Sequence, residues 1–149
     1  MDPVLVLSGP NLNLLGTREV DVYGHESLEA IHERLATLGQ ELGVRVDCRQ
    51  SNHEGELIDW IHEARESHAG IVFNLGAYTH TSIAIADALR AVALPSVEVH
   101  LSNIHAREAF RAHSHTASAA LGVVTGFGPA SYTLGLRALM DYLGRSNEG

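Results

Sequence analysis

The chain contains no lysine, and all ten of its basic residues are arginine. That excludes a lysine Schiff base and the phosphate-gripping lysine of a P-loop. Cysteine is nearly absent too, and the lone Cys48 excludes an internal disulfide framework. No apolar run approaches the roughly 20 residues that span a bilayer, and the first residues have neither the basic flank nor the apolar stretch of a signal peptide. A cytoplasmic protein with no membrane partner is expected. The net charge of −8 supplies no basic surface for a phosphate backbone, so nucleic acid is not an expected partner. Among the ten histidines, His113/His115 and His100/His105 come nearest to a metal-binding pair. With neither H-E-x-x-H nor paired-cysteine spacing, no metal is expected.

What is present is the composition of one globular domain over residues 1–149, with 45% hydrophobic and 19% charged residues. Apolar, β-branched runs at Pro3–Ser8, Val44–Arg49, Ile71–Leu75, Ser96–His100 and Leu121–Thr125 predict five strands. Helical periodicity lies between them. Leu28, Ile31, Leu35, Leu38 and Leu42 mark one helix, with Ser27 placed to cap it and Gly43 to close it. Leu57, Ile58, Ile61 and Ala64 mark a second, Thr81–Leu94 a third and Tyr132–Leu143 a last, while Ile104–Phe110 suits a short helical turn. Alternation of this kind predicts a parallel α/β sheet covered on both faces, in the flavodoxin-like order 2-1-3-4-5. Ligands then bind beyond the carboxyl ends of the strands, near the reversal between strands 1 and 3. The third helix is apolar nearly all round, with only Asp87 and Arg90 charged, which predicts a second cover from another copy of the chain.

Polar groups crowd the strand exits. "GPNLNLLGTREVDVYG" (9–24) places Asn11, Asn13, Arg18 and Tyr23 on one glycine-bounded loop. A phenol titrates near 10, and holding it as phenolate near neutrality takes about 4 kcal/mol of electrostatic stabilisation, which guanidinium groups such as Arg18 can supply. The same residues also fit a half-buried aromatic beside a solvated charge. Glu98 and His100 are two apart at the end of strand 4 and so point to one side, a pairing that suits a general acid. Ser102 follows, and Arg107 and Arg111 are i, i+4 on the expected turn of helix. A polar strand end with a charged surface turn is the plainer alternative. Asn74 ends strand 3, with His80, Thr79 and Thr81 placed to open the next helix, where Thr79 or Thr81 could equally serve as a simple cap. His32, His62 and His68 read as exposed helix-face residues.

Together "GPNLNLLGTRE…YG" (9–24), "QSNHEGELIDWIH" (50–62), "N-GAYTHTS" (74–82) and "VEVHLSNIHARE-FR-HS" (97–114) resemble type II 3-dehydroquinate dehydratase, or type II dehydroquinase, over essentially the whole chain. The resemblance implies a flavodoxin-like fold, a dodecamer built from trimers, and reversible dehydration of 3-dehydroquinate to 3-dehydroshikimate through an enolate. This reaction serves the shikimate pathway or quinate breakdown and uses no metal or organic cofactor. It implies Tyr23 as the base, Arg18 as an essential loop arginine and Arg107 as a residue that keeps Tyr23 ionised. Asn11 would hold a water against the enolate oxygen, and His100, oriented by Glu98, would protonate the departing hydroxyl. Asn74, His80 and Arg111 would bind ring hydroxyls, Leu101 and Ser102 the carboxylate, and Asp87 would belong near a neighbouring subunit's site. Residues 12–24 would then form a lid.

Departures from the family pattern are Leu75 in place of a frequent proline, His115 in place of an aromatic, and "GFGPASY" (126–132). A phosphoryl receiver would want acids after strand 1 and a later lysine. An FMN binder would want a hydroxyl-rich phosphate loop there. This chain offers neither, and a metal-dependent hydrolase would lose activity to a chelator.

Overall fold

The computed structural model describes the chain apart from Arg18, Glu19, Gly24 and Gly149, and at Val20, Tyr23 and residues 146–148 it describes backbone only. Five strands, β1 (Val4–Ser8), β2 (Val46–Gln50), β3 (Gly70–Asn74), β4 (Ser96–His100) and β5 (Gly122–Thr125), form one sheet in the order β2-β1-β3-β4-β5. Every pairing is parallel. Parallel neighbours need a crossover. The helices α2 (Leu28–Leu42), α3 (Glu54–Ser67) and α4 (Ile83–Val92) provide three of them, and α5 (Ala130–Glu148) closes the chain. A one-turn helix α1 (Val20–Tyr23), not anticipated from the periodicity, precedes α2.

Alternation along the strands divides the core. Val4, Val6, Val72, Val97 and Val99 face α2 and α5, where they meet Ile31, Leu35, Tyr132 and Leu136. Leu5, Leu7, Ile71 and Phe73 face α3 and α4, meeting Leu57, Ile61, Ile85 and Leu89. Both faces of the central strands are therefore dry, which explains why β1 reads as an unbroken apolar run. Each fully buried aliphatic side chain contributes about 1.5–3 kcal/mol.

Local signals account for the helix ends. Ser27 Oγ accepts from the Ala30 amide (3.1 Å), and Gly43 ends α2 in the left-handed region at φ 76°. The amide of Val44 still bonds to Gly39 O, so β2 begins two residues later than its apolar run suggests. Ser82, rather than either threonine, caps α4. The residues 76–80 form a 3-10 turn of their own, so His80 and Thr79 end that turn and do not open the helix.

Two further expectations are corrected. The residues 104–110 hold no single helical turn: Arg107 has extended backbone (φ −111°, ψ −157°) between 3-10 turns at Ile104–Ala106 and Ala109–Ala112. His68 is buried, not exposed, because its ring bonds Ser67 Oγ (2.8 Å) and Asp47 Oδ2 (2.9 Å) where α3 meets the sheet edge. His32 is half-buried, and burial lowers its pKa, with Glu29 opposing; only His62 of the three is exposed. The outer face of α4 carries Ile83, Asp87 and Arg90, all exposed in the single chain. No helix among the described residues is long and apolar enough to cross a membrane.

Candidate active site

The carboxyl ends of β1 and β3 lie side by side, with Ser8 opposite Asn74 in register. The chains then approach closely. The Gly9 amide donates to Asn74 O (2.8 Å), and a Cβ on Gly9 would stand 2.4 Å from Leu75 O, so only glycine fits. Asn74 is buried, and its Oδ1 accepts from the Gly76 amide (3.2 Å). Beneath it lies Tyr132, delivered by α5 and fully enclosed, with its hydroxyl 2.8 Å from Ser8 Oγ. Burial pushes the Tyr132 phenol up to about 12 against the opposing pull of its hydrogen bonds to Ser8 and Asn74. Tyr132 is thus a neutral hydroxyl in a buried brace under the site.

β4 delivers the pair its spacing predicts. His100 Nε2 lies 2.9 Å from Glu98 Oε2, on the sheet face opposite Val97 and Val99. The other carboxylate oxygen accepts from Ser114 Oγ (2.9 Å) and from Thr116 Oγ1. Burial raises the Glu98 pKa, but the hydrogen bonds from His100, Thr116 and Ser114 outweigh it and hold the carboxyl below its ordinary value. Glu98 therefore stays ionised, orients the imidazole through Nε2 and leaves Nδ1 for another partner. The His80 ring stacks near His100, with centroids 6.4 Å apart, and its Nδ1 is 2.8 Å from His113 O. Donation to that carbonyl fixes the His80 tautomer and leaves Nε2 an acceptor. Burial lowers the His80 pKa, helped by the charges of His100 and Arg111 and opposed by the His113 carbonyl.

Just beyond these strand ends is a cavity of about 120 Å³, lined by Asn11, Asn74, Gly76, Leu101, Arg107 and Arg111, with Pro10, Leu12, Leu15 and Ala77. A second hollow of about 390 Å³ adjoins it and shares Leu101 and Arg107, adding Val22, Ser102, Asn103, Gly126 and Gly128. Arg107 Nη1 approaches Ser102 Oγ at 3.4 Å, and Arg111 Nε bonds Glu108 Oε2 at 2.7 Å. Arg107 and Arg111 meet at one cavity although they do not share a helix. Two guanidinium groups, two amide side chains and a hydroxyl so grouped suit a small polyhydroxylated anion.

Of the residues expected here, the structure brings Asn11, Asn74, Leu101, Ser102, Arg107 and Arg111 to the two hollows and pairs Glu98 with His100 beside them. Asp87 stands apart on the exposed face of α4, 3.7 Å from Arg90. Arg18 lies outside the described residues, as does the side chain of Tyr23. Among the described residues no group of three or more His, Cys, Asp or Glu side chains is placed to hold a metal ion. His113 and His115 pack edge to face instead. Sequence reasoning missed Ser114 and Thr116 as partners of Glu98, and Ser8 and Tyr132 as the brace under Asn74. Isolated hydroxyl residues give no local signal, so only a search for partners of a buried carboxylate would have found the first two.

The model of the family described as Dehydroquinase class II matches residues 2–140. The chain is 59% identical over 143 residues to a 3-dehydroquinate dehydratase of Ruegeria pomeroyi, covering 96% of each, and 56% identical over 138 residues to that of Rhizobium etli, covering 93% of this chain and 95% of the relative. A crystal structure of type II dehydroquinase from Butyrivibrio crossotus superposes with a TM-score of 0.90 at 43% identity, covering 93% of this chain and 97% of that one. Its counterpart from Propionibacterium acnes gives 0.90 at 42%, covering 95% and 97%.

Proposed function

The chain belongs to the class II dehydroquinase family, and on that premise we propose that it dehydrates 3-dehydroquinate to 3-dehydroshikimate with Tyr23 as base and His100 as acid. The observation that carries this reading is the buried Glu98–His100 pair beside a cavity lined by Asn11, Asn74, Arg107 and Arg111.

The phenolate of Tyr23 takes the proton from the carbon next to the ketone, and the C–H electron pair moves into the carbonyl to give an enolate. Arg18 and Arg107 favour the phenolate. Asn11 holds a water against the enolate oxygen, where negative charge develops. The enolate then re-forms the ketone and expels the hydroxyl on the next carbon, on the opposite face of the ring. His100 protonates that hydroxyl and water leaves. One C–H and one C–O bond are broken and one C=C bond is formed, with no change of oxidation state overall. Ionised Glu98 holds the His100 ring through Nε2 and so orients it toward the departing hydroxyl. Arg111, Asn74 and the neutral His80 bind ring hydroxyls, and Ser102 with the backbone at Leu101 takes the carboxylate. The loop 12–24 closes over the ring, expelling water and strengthening the arginine–phenolate attraction.

The reaction belongs in aromatic biosynthesis through the shikimate pathway, or in quinate breakdown, in the cytoplasm. The working form is a homo-oligomer, a dodecamer of trimers, with Asp87 near a subunit boundary. The exposed Ile83 on α4 supports this, since it is 63% accessible in the single chain. Light scattering of the purified protein tests the assembly, and a monomer would contradict it.

The decisive experiment is a spectrophotometric assay with 3-dehydroquinate that follows the conjugated enone of the product, after borohydride pre-treatment and with chelator present. Activity should survive both. Tyr23→Phe and Arg18→Ala should each lose most turnover while folding normally. A near-normal rate in either variant would overturn its assigned role.

A further inference from the structure

The stretch "QSNHEGELIDWIH" runs from β2 into α3, and no residue of it lines the cavity of Asn11 and Asn74. Its first residues nevertheless reach the strand exits. Asn52 precedes His53, the residue that opens α3, and its side chain does not serve that helix: His53 has no side-chain cap, and the turn before it is closed by Ser51 Oγ accepting from the His53 amide at 2.9 Å. Asparagine is among the best helix-capping residues. Here its Oδ1 points across to β1's exit and accepts the backbone N–H of Asn11 at 3.0 Å.

Two more groups hold Asn52 in place. Gln50 Nε2 donates to Asn52 Oδ1 (3.2 Å) and to Gly9 O (3.1 Å), bracketing Pro10 and Asn11 from the same side. Tyr78, from the turn after β3, donates its hydroxyl to the Asn52 carbonyl at 2.8 Å. The exits of β1, β2 and β3 therefore meet at Asn52. Asn11 itself sits in the left-handed region (φ 68°, ψ −4°), which asparagine tolerates better than other non-glycine residues, and the bond to Asn52 fixes its amide there.

We propose that Asn52, held by Gln50 and Tyr78, is a positioning residue for the dehydration: by fixing the Asn11 amide it sets the direction of the Asn11 side chain at the cavity. This rests on the role given to Asn11 above. It assigns a task to Asn52 and Gln50 that the cavity lining does not reveal, and it acts through Asn11 without touching substrate.

The test compares Asn52→Ala, Asn52→Asp, Asn11→Ala and the double variant Asn11→Ala/Asn52→Ala. The Asn52 side chain is exposed, so the variants should fold. Misplacing a positioned group by a fraction of an ångström should lower kcat of Asn52→Ala about 10-fold with KM within about 3-fold, and Asn52→Asp, which keeps the acceptor, should recover kcat to within about 3-fold of wild type. The double variant should be no slower than Asn11→Ala, because the effect passes through one residue. Hydrogen exchange of a peptide covering residues 9–15, measured without substrate, should accelerate in Asn52→Ala and return towards normal in Asn52→Asp. A normal kcat in Asn52→Ala, a failed recovery in Asn52→Asp, or additive losses in the double variant would overturn the proposal. An unimpaired Asn11→Ala would overturn Asn11's catalytic role and with it the catalytic half of this inference. The exchange data decide separately whether Asn52 holds the loop.

Discussion

His100 Nε2 and Glu98 Oε2 lie 2.9 Å apart on the same face of β4, and both side chains are buried. The ring's second nitrogen is thereby left for chemistry, and the enclosed carboxylate also accepts from Ser114 and Thr116. Removing the charge while keeping the shape isolates its contribution. Glu98→Gln should lower kcat by about 10-fold or more, since a hydrogen bond to a charged group is worth about 1–2 kcal/mol more than a neutral one. Steady-state kinetics with 3-dehydroquinate check this, and an unchanged kcat would remove Glu98 from the mechanism.

The same carboxylate shapes acid stability. Its folded pKa is below the ordinary 4.5, so below that pH the unfolded chain binds more protons than the folded one. Its contribution is complete above 4.5 and is lost as pH falls through the folded value. His80, lowered from 6.5, acts in the same direction at higher pH: its contribution is present above 6.5 and lost on acidification. Urea unfolding from pH 7 to 3 should show a shallower loss below pH 5 in Glu98→Gln, and a shallower loss just below pH 6.5 in His80→Gln. Curves parallel to wild type would contradict these assignments.

Tyr132→Phe removes one hydroxyl from the brace below Asn74. Ser8 Oγ would be left without its buried partner, at a cost of about 1–3 kcal/mol. For a chain of this length that lowers Tm by about 2–10 °C. Turnover should stay within a few-fold of wild type, because Tyr132 is completely enclosed. Calorimetry and the enone assay together check this, and a large kcat loss at unchanged Tm would give Tyr132 a more direct part.

Gly9→Ala should be the most damaging single-methyl change near the site. Its Cβ would meet the Leu75 carbonyl at 2.4 Å, and backbone cannot swing aside as a side chain can. Overpacking of this kind costs about 1–3 kcal/mol or more, and the exits of β1 and β3 would have to part. Chemical denaturation should report the loss, with turnover falling alongside. A variant as stable as wild type would mean that the two exits are less tightly joined than their contact indicates.

Much of this molecule is legible in one dimension. The apolar run Ser96–His100 coincides with β4, and alternation of five strands with helices predicts a parallel α/β sheet of the flavodoxin-like order that the fold adopts. Spacing of two in a strand put Glu98 and His100 on one side, because pleating makes that a local property of the backbone. The caps Ser27 and Gly43 were equally readable, since their hydrogen bonds reach only three or four residues away. Arg107 and Arg111 converge for a reason other than their i, i+4 spacing. Helical spacing would have brought them together, but the backbone at Arg107 is extended, and convergence on a shared cavity does so instead.

The lack of lysine is a matter of composition, and the strand and helix pattern and the Glu98–His100 pair depend on neighbours a few residues apart, so all three are readable before folding. Long-range packing, by contrast, is what lets Ser114 and Thr116 satisfy Glu98, lays Tyr132 under Ser8 and Asn74, and lets Asn52 clamp Asn11 from 41 residues away. These groups meet because crossover connections return the carboxyl ends of distant strands to one end of the sheet. A hydroxyl or amide carries no mark of the partner it will find there, since that partner is chosen by where burial leaves a donor or acceptor unsatisfied.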